Sequence, residues 1–295
     1  MHASLSHHKS YLGDIRSYIA RLPGLSTTAV KVLETCNNPQ ASPNDLNRVI
    51  SLDPVLTGQV LRLINSAYYS LRHPVSSLTR AIIMLGINTV KNLVLSFAIL
   101  ENLRHKQSFR ALSAEKFWAH SLGVGVIAKF LARLKGVSLT DQEEFFVCGL
   151  LHDLGKIPLN HQFPDEYCQA LDLARRSHWT LAHAEGMIFG FDHGSIGGLI
   201  AEKWRLSPAL NEGLGYHHQP DKSLAKHQQL VFIVALADIF SQLLDIGSSE
   251  VATSGTAFAE FLMEHVGVDW PKLYEMRDSV VAEIEKAKIF LQISE

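Results

Sequence analysis

An all-α fold is what this chain predicts, on three observations. Apolar residues recur at helical spacing almost throughout its 295 residues, and no stretch sustains the period-two alternation of a half-buried strand. Helix starts are marked repeatedly by a capping side chain just ahead of a first-turn proline. With 47% hydrophobic content, a chain of this length buries a substantial core, as one large domain or two smaller ones.

Taken in order, residues 1–12 are polar and histidine-bearing with no apolar run, so they predict a flexible terminus rather than a secretory signal or an anchor. Ser42-Pro43 opens a helix over residues 44–50, and Asp53-Pro54 opens another over residues 55–64. The string Arg104-His105-Lys106-Gln107-Ser108 interrupts two apolar helices and marks a subdomain boundary. It separates an N-terminal helical subdomain, residues 13–110, from a second one over residues 111–246. Within the second, Ser207-Pro208 repeats the capping device, and the basic residues from Lys129 to Lys135 read as one solvated helix face. A small-residue stretch over 247–255 then leads into C-terminal accessory helices, residues 247–295, with Trp270-Pro271 near their start.

Composition narrows the function classes. The longest apolar runs, residues 93–100 and 230–237, fall far short of the roughly 20 positions a membrane helix needs, so a cytoplasmic protein without a membrane partner is expected. With 27 basic and 29 acidic side chains the net charge is -2, which gives no electrostatic case for nucleic acid. Cys36, Cys148 and Cys168 form no CxxC pair and are odd in number, which fits a reducing compartment and structural thiols.

The chemistry concentrates in the second subdomain. A buried apolar helix, Phe145-Phe146-Val147-Cys148-Gly149-Leu150-Leu151, ends in His152-Asp153 and then Lys156, aiming three polar groups at one place. Asp238 sits inside Leu236-Ala237-Asp238-Ile239-Phe240, where an ionised carboxylate costs several kcal/mol unless it is paired or coordinates a cation. His217-His218 are adjacent, and neighbours on a helix point about 100° apart. Two ions, or a helix that ends there, would let both serve, and otherwise His218 stands outside the centre. His193 follows Asp192, a candidate N-cap, and so falls in a first helical turn. His183 competes with it from amphipathic surroundings that suit an exposed residue. His120 lies upstream on a helix.

Imidazoles and carboxylates together suit iron, manganese, nickel or zinc, so the candidate ligands of one or two divalent transition-metal ions are His120, His152, Asp153, His193, His217, His218 and Asp238. Asp153 and Lys156 are the candidate catalytic residues. Lys156 either steadies a phosphate or simply complements a helix end.

The order His120, His152-Asp153, His193, His217-His218, Asp238 resembles the HD superfamily of metal-dependent phosphohydrolases, and His152-Asp153-Leu154-Gly155-Lys156 is similar to the HDxGK motif of its HD-GYP branch. Leu22-Pro23-Gly24-Leu25, Asp53-Pro54, Asn65-Ser66-Ala67 and the stretch over 81–86 resemble the HDOD family. The resemblance implies an HD-domain-like helical bundle with an N-terminal HDOD subdomain, in a bacterial signal-transduction output or regulatory module that works on a protein partner. Its alternative is a metal-dependent phosphohydrolase acting on a nucleotide or other phosphate ester. Two features depart from HD-GYP: Gln219-Pro220 follows the histidine doublet without a glutamate, and Lys116 stands where some members carry a carboxylate ligand.

Overall fold

The computed structural model describes residues 2–103, 109–247 and 256–293, and among these every regular element is helical, as expected. The first group comprises α1 (His2–Arg21), α2 (Thr27–Cys36), α3 (Pro43–Ile50), α4 (Pro54–Ile64), α5 (Leu78–Leu85) and α6 (Ile87–Leu103). The second comprises α7 (Ala114–Leu134), α8 (Gln142–Leu151), α9 (Lys156–Gln162), α10 (Pro164–Ser177), α11 (Leu181–Phe189), α12 (His193–Lys203), α13 (Pro208–Tyr216) and α14 (Gln228–Leu243). Three further helices complete the order, α15 (Thr256–Val266), α16 (Trp270–Ala287) and α17 (Ile289–Ile293). The polar start of the chain is therefore helical from His2 onward. The boundary stretch at 104–108 and most of that at 247–255 lie outside the described residues.

The proline-marked starts form as their chemistry dictates. Ser42 accepts from the Asp45 amide while Asp45 accepts from the Ser42 amide, a reciprocal cap at the mouth of α3. Asp53 accepts from the Leu56 amide at α4, and Ser207 from the Leu210 amide at α13.

Helices α2 to α6 pack on one another, and α7, α8 and α14 pack together as the centre of the second group. Helix α1 crosses over to pack on α9, α11 and α12, while α17 returns to α4 and α6. One continuous cluster of buried side chains, from Ile15 to Ile293, runs through both groups. No single helix among the described residues is long and apolar enough to cross a membrane. The α5–α6 pair reaches the required length only together, and it is bent by 112°.

Two close backbone approaches fix how the ends of α8 and α12 meet their neighbours. A Cβ on Gly149 would lie 2.8 Å from both the Cα and the amide nitrogen of Gly125, so α7 and α8 touch at their backbones. A Cβ on Gly155 would fall on the His193 carbonyl oxygen, so the turn after α8 lies directly against the mouth of α12.

One expectation is corrected. Lys129 does not belong to a solvated face: its ammonium pairs with the buried Glu143 carboxylate, lies 3.0 Å from the Tyr68 hydroxyl and sits 4.6 Å from the centroid of the Tyr68 ring. A carboxylate as buried as Glu143 requires a cation, and α7 turns Lys129 inward to supply it. Arg133 and Lys135 remain exposed. The cysteines divide as well, Cys148 being buried, Cys36 half-buried and Cys168 exposed without a packing role.

Candidate metal centre

Five helices and the turns at their ends bring all seven predicted ligands to one place. α7 contributes His120, the C-terminal end of α8 gives His152 and Asp153, and α12 begins at His193. α13 ends at Tyr216, His217 and His218 follow in the turn after it, and α14 contributes Asp238. Both doublets lie in the turn directly after a helix, and the first histidine of each keeps a right-handed helical backbone. The first turn of α12 is capped by Asp192, which accepts from the Ser195 amide.

Asp153 lies at the centre. Its Oδ1 is 3.1 Å from His193 Nε2, 3.4 Å from His152 Nε2 and 3.9 Å from His217 Nε2. Its Oδ2 is 2.6 Å from Lys156 Nζ and 3.7 Å from His120 Nε2. Asp238 Oδ1 completes the near side at 3.0 Å from His120 Nε2 and accepts from Gln242 at 2.8 Å. The far side is three imidazoles, with His193 Nε2 2.8 Å from His218 Nε2 and 3.3 Å from His217 Nε2. Two groups of donor atoms result, each within 4.8 Å: His120, His152 and Asp153, and His193, His217 and His218.

The rings are tethered from behind. His152 Nδ1 faces the Gly149 carbonyl at 2.7 Å, His217 Nδ1 faces the Leu214 carbonyl at 3.0 Å, and His193 Nδ1 faces Glu185 Oε2 at 2.6 Å. A ring that donates through Nδ1 turns the lone pair of Nε2 inward, the arrangement metal-bound histidines adopt. Burial pushes His217 down to about 3, with the charges of His152 and His193 adding to it, and burial also holds His218 and His152 below the usual imidazole range. Burial opposes a charge on His193 too, but the Glu185 carboxylate and Asp153 outweigh it and raise the ring to about 9. Burial would raise Asp153 and Asp238, but the imidazoles around both and Lys156 beside Asp153 hold them below the usual carboxylate range. His152, His217 and His218 as neutral imidazoles beside ionised Asp153 and Asp238 are in the protonation states that metal ligation needs, whereas an ion at His193 would have to displace the proton of that ring.

The donor set fits a divalent ion. His152 Nε2 and Asp153 Oδ1 are fully buried, and neither makes a hydrogen bond with correct geometry among the described residues, even though Oδ1 has three imidazole nitrogens within 4 Å. Buried polar atoms without partners are costly, and a cation between them would satisfy both. A cleft of about 200 Å³ opens onto His120, Asp153 and Lys156, and its wall carries Ser113, Lys116 and Arg175.

Lys156 is buried against Asp153, which raises the ammonium above its usual range despite the opposing effect of burial. His183, the competitor, is exposed and meets Trp179 edge to face. Sequence reasoning missed Glu185. The signal was available: residue 185 falls on the same helical face as Leu181 and Phe189, so a carboxylate occupies the buried stripe of α11. The cleft residues Lys116 and Arg175 carried no comparable signal, because surface lysines and arginines are common on every helix.

Comparison with known proteins gives consistent results. The HDOD domain family model matches residues 22–220, a range that holds six of the seven candidate ligands and stops short of Asp238. An uncharacterized protein of Treponema pallidum (strain Nichols) is 22% identical over 232 residues. That match takes in 79% of this chain and only 44% of its relative's length. Among solved structures, an HDOD domain protein of unknown function from Geobacter sulfurreducens is 26% identical, with a TM-score of 0.76 and 98% of each chain covered. A candidate phosphohydrolase from Shewanella amazonensis SB2B is 24% identical, with a TM-score of 0.69 over 94% of this chain and 97% of the other. A candidate signal transduction protein from Marinobacter aquaeolei VT8 is 22% identical, with a TM-score of 0.73 over 98% of this chain and 66% of the other.

Proposed function

Because this chain belongs to the HDOD domain family, we propose that it acts as a regulatory or output module of signal transduction whose centre holds one or two divalent transition-metal ions. The observation that carries the metal is the pair of buried atoms His152 Nε2 and Asp153 Oδ1, neither with a hydrogen bond of correct geometry among the described residues, inside a shell of imidazoles. One ion would be held by His120, His152, Asp153 and Asp238, and the other by His193, His217 and His218 with Asp153 shared between them. The output is a contact with a protein partner through the N-terminal helices, where Leu52, Val55, Ile83 and Met84 are 73%, 70%, 65% and 50% exposed. Apolar side chains this exposed are a common feature of contact surfaces.

Elemental analysis of the untagged protein purified without chelator tests the reading. About one or two ions of iron, manganese, nickel or zinc per chain are expected, with loss on Asp153→Asn. A well-folded wild type that stays metal-free after incubation with each of these ions would overturn it.

A second reading, hydrolysis of a phosphate ester, is favoured by the cleft. Bound ions supply Lewis-acid polarisation of a phosphoryl oxygen. The chain itself would bind the ester through Lys116 and Arg175, orient it along the wall at Ser113, and hold one anionic oxygen at Lys156 Nζ, while Asp153 keeps that ammonium fixed. Metal-dependent turnover in a panel of phosphomonoesters and phosphodiesters, lost on Asp153→Asn, is the outcome this reading requires.

A further inference from the structure

We propose that Glu185, braced by Tyr167, is a positioning residue that sets how tightly the ion at His193, His217 and His218 is held. The inference rests on the metal-binding reading of the centre and adds to it a residue outside the seven candidate ligands.

Glu185 is 0% exposed, in the middle of α11. A carboxylate so buried is stable only when its lone pairs are taken up, and three donors converge on this one. Its Oε2 lies 2.6 Å from His193 Nδ1 and accepts the His193 backbone amide at 2.8 Å. Its Oε1 accepts the Tyr167 hydroxyl at 2.9 Å, and Tyr167 is itself fully buried on α10. One side chain therefore fixes the His193 ring and the first turn of α12 together, with α10 as the brace.

The other histidines of the centre are held differently. His152 and His217 face neutral backbone carbonyls, and His120 Nδ1 lies 3.4 Å from the Ser241 hydroxyl. Among these rings, His193 has a full negative charge behind it. A carboxylate behind a ring raises the electron density at the opposite nitrogen and locks its orientation, and loss of such a partner lowers metal affinity by about 10- to 100-fold. The effect is local to one ion, because the Glu185 carboxylate bonds to His193 and Tyr167 rather than to His120, His152 or Asp238.

Glu185→Gln separates charge from shape. The amide oxygen still accepts from His193, and the amide nitrogen can donate to the Tyr167 hydroxyl oxygen, so the shape is kept while the charge is lost and the bond to Tyr167 reverses direction. The metal-free full chain and its Glu185→Gln variant are titrated with cobalt(II), following the visible absorption bands and, separately, the thermal midpoint without metal. The expected result is one binding step weakened by about 10- to 100-fold, the other unchanged, shifted cobalt bands, and a metal-free midpoint close to wild type. Wild-type affinity at both steps would overturn the role. So would equal weakening of both steps together with a lowered metal-free midpoint, because that marks a purely structural side chain. If Glu185→Gln does not fold, Tyr167→Phe is read in the same way, with a smaller loss at the same step. A wild type that takes up no cobalt overturns the metal reading itself, a result distinct from equal affinities in the two proteins.

Discussion

Lys129 and Glu143 illustrate what a single buried charge demands. Glu143 comes from the first turn of α8 and is 2% exposed, Lys129 comes from the C-terminal third of α7, and the hydroxyls of Tyr68 and Tyr69 close around them. Removing the cation strands a carboxylate in the core, so Lys129→Met is expected to lower stability by roughly 3 kcal/mol. Replacing both partners, Lys129→Met with Glu143→Leu, should cost much less than the single change. Urea denaturation of the two proteins checks this, and equal losses would show that the pair is not the source. Nothing in the sequence around Lys129 distinguishes it from Arg133 or Lys135, because the decisive neighbour arrives from a different helix. Asp238, by contrast, was legible at once, since no arrangement leaves a carboxylate unpartnered among Leu236, Ala237, Ile239 and Phe240.

At the scale of elements, the contact between α7 and α8 positions His120 against His152 and Asp153. It depends on two glycines, each of which presents bare backbone to the other helix. A methyl group at residue 149 would meet the Gly125 backbone at 2.8 Å, and neither helix can yield without moving a candidate ligand. Gly149→Ala is therefore expected to lower stability by roughly 1–3 kcal/mol, and to weaken metal binding although residue 149 offers no donor atom to an ion. Denaturation and cobalt titration of the same variant measure the two effects. An unchanged metal affinity would show that the helix spacing is not what aligns the ligands. The starts of α3, α4 and α13 were readable because capping is a local interaction between residues three apart. The inward turn of Lys129 and the brace from Tyr167 to Glu185 were not, because both span helices.

For the whole molecule, ligands drawn from α7, α8, α12, α13 and α14 make any bound ion a cross-link between most of the second group of helices. An ion that binds only the folded chain adds about 2.7 kcal/mol at a free concentration 100 times its dissociation constant. Each kcal/mol moves the midpoint of a chain of this size by roughly 2–4 °C, so removal of metal by a chelator should lower the thermal midpoint by about 5–10 °C. Calorimetry with and without chelator measures this, and an unchanged midpoint would mean that no ion was held. The continuous core from Ile15 to Ile293 predicts a single cooperative transition in either case.

The sequence by itself determined the helical class, the capped helix starts, and the candidate ligands with their order. These rest on local rules: apolar period, side chains capping the next turn, and the cost of polar groups in apolar runs. Only the tertiary structure decided that both doublets fall in the turns where α8 and α13 end, that Asp153 faces both groups of donor atoms, and that His193 rather than His183 reaches the centre, with Glu185 behind it. Those outcomes depend on which helix end meets which, a matter of packing between residues far apart in the chain that no local pattern records.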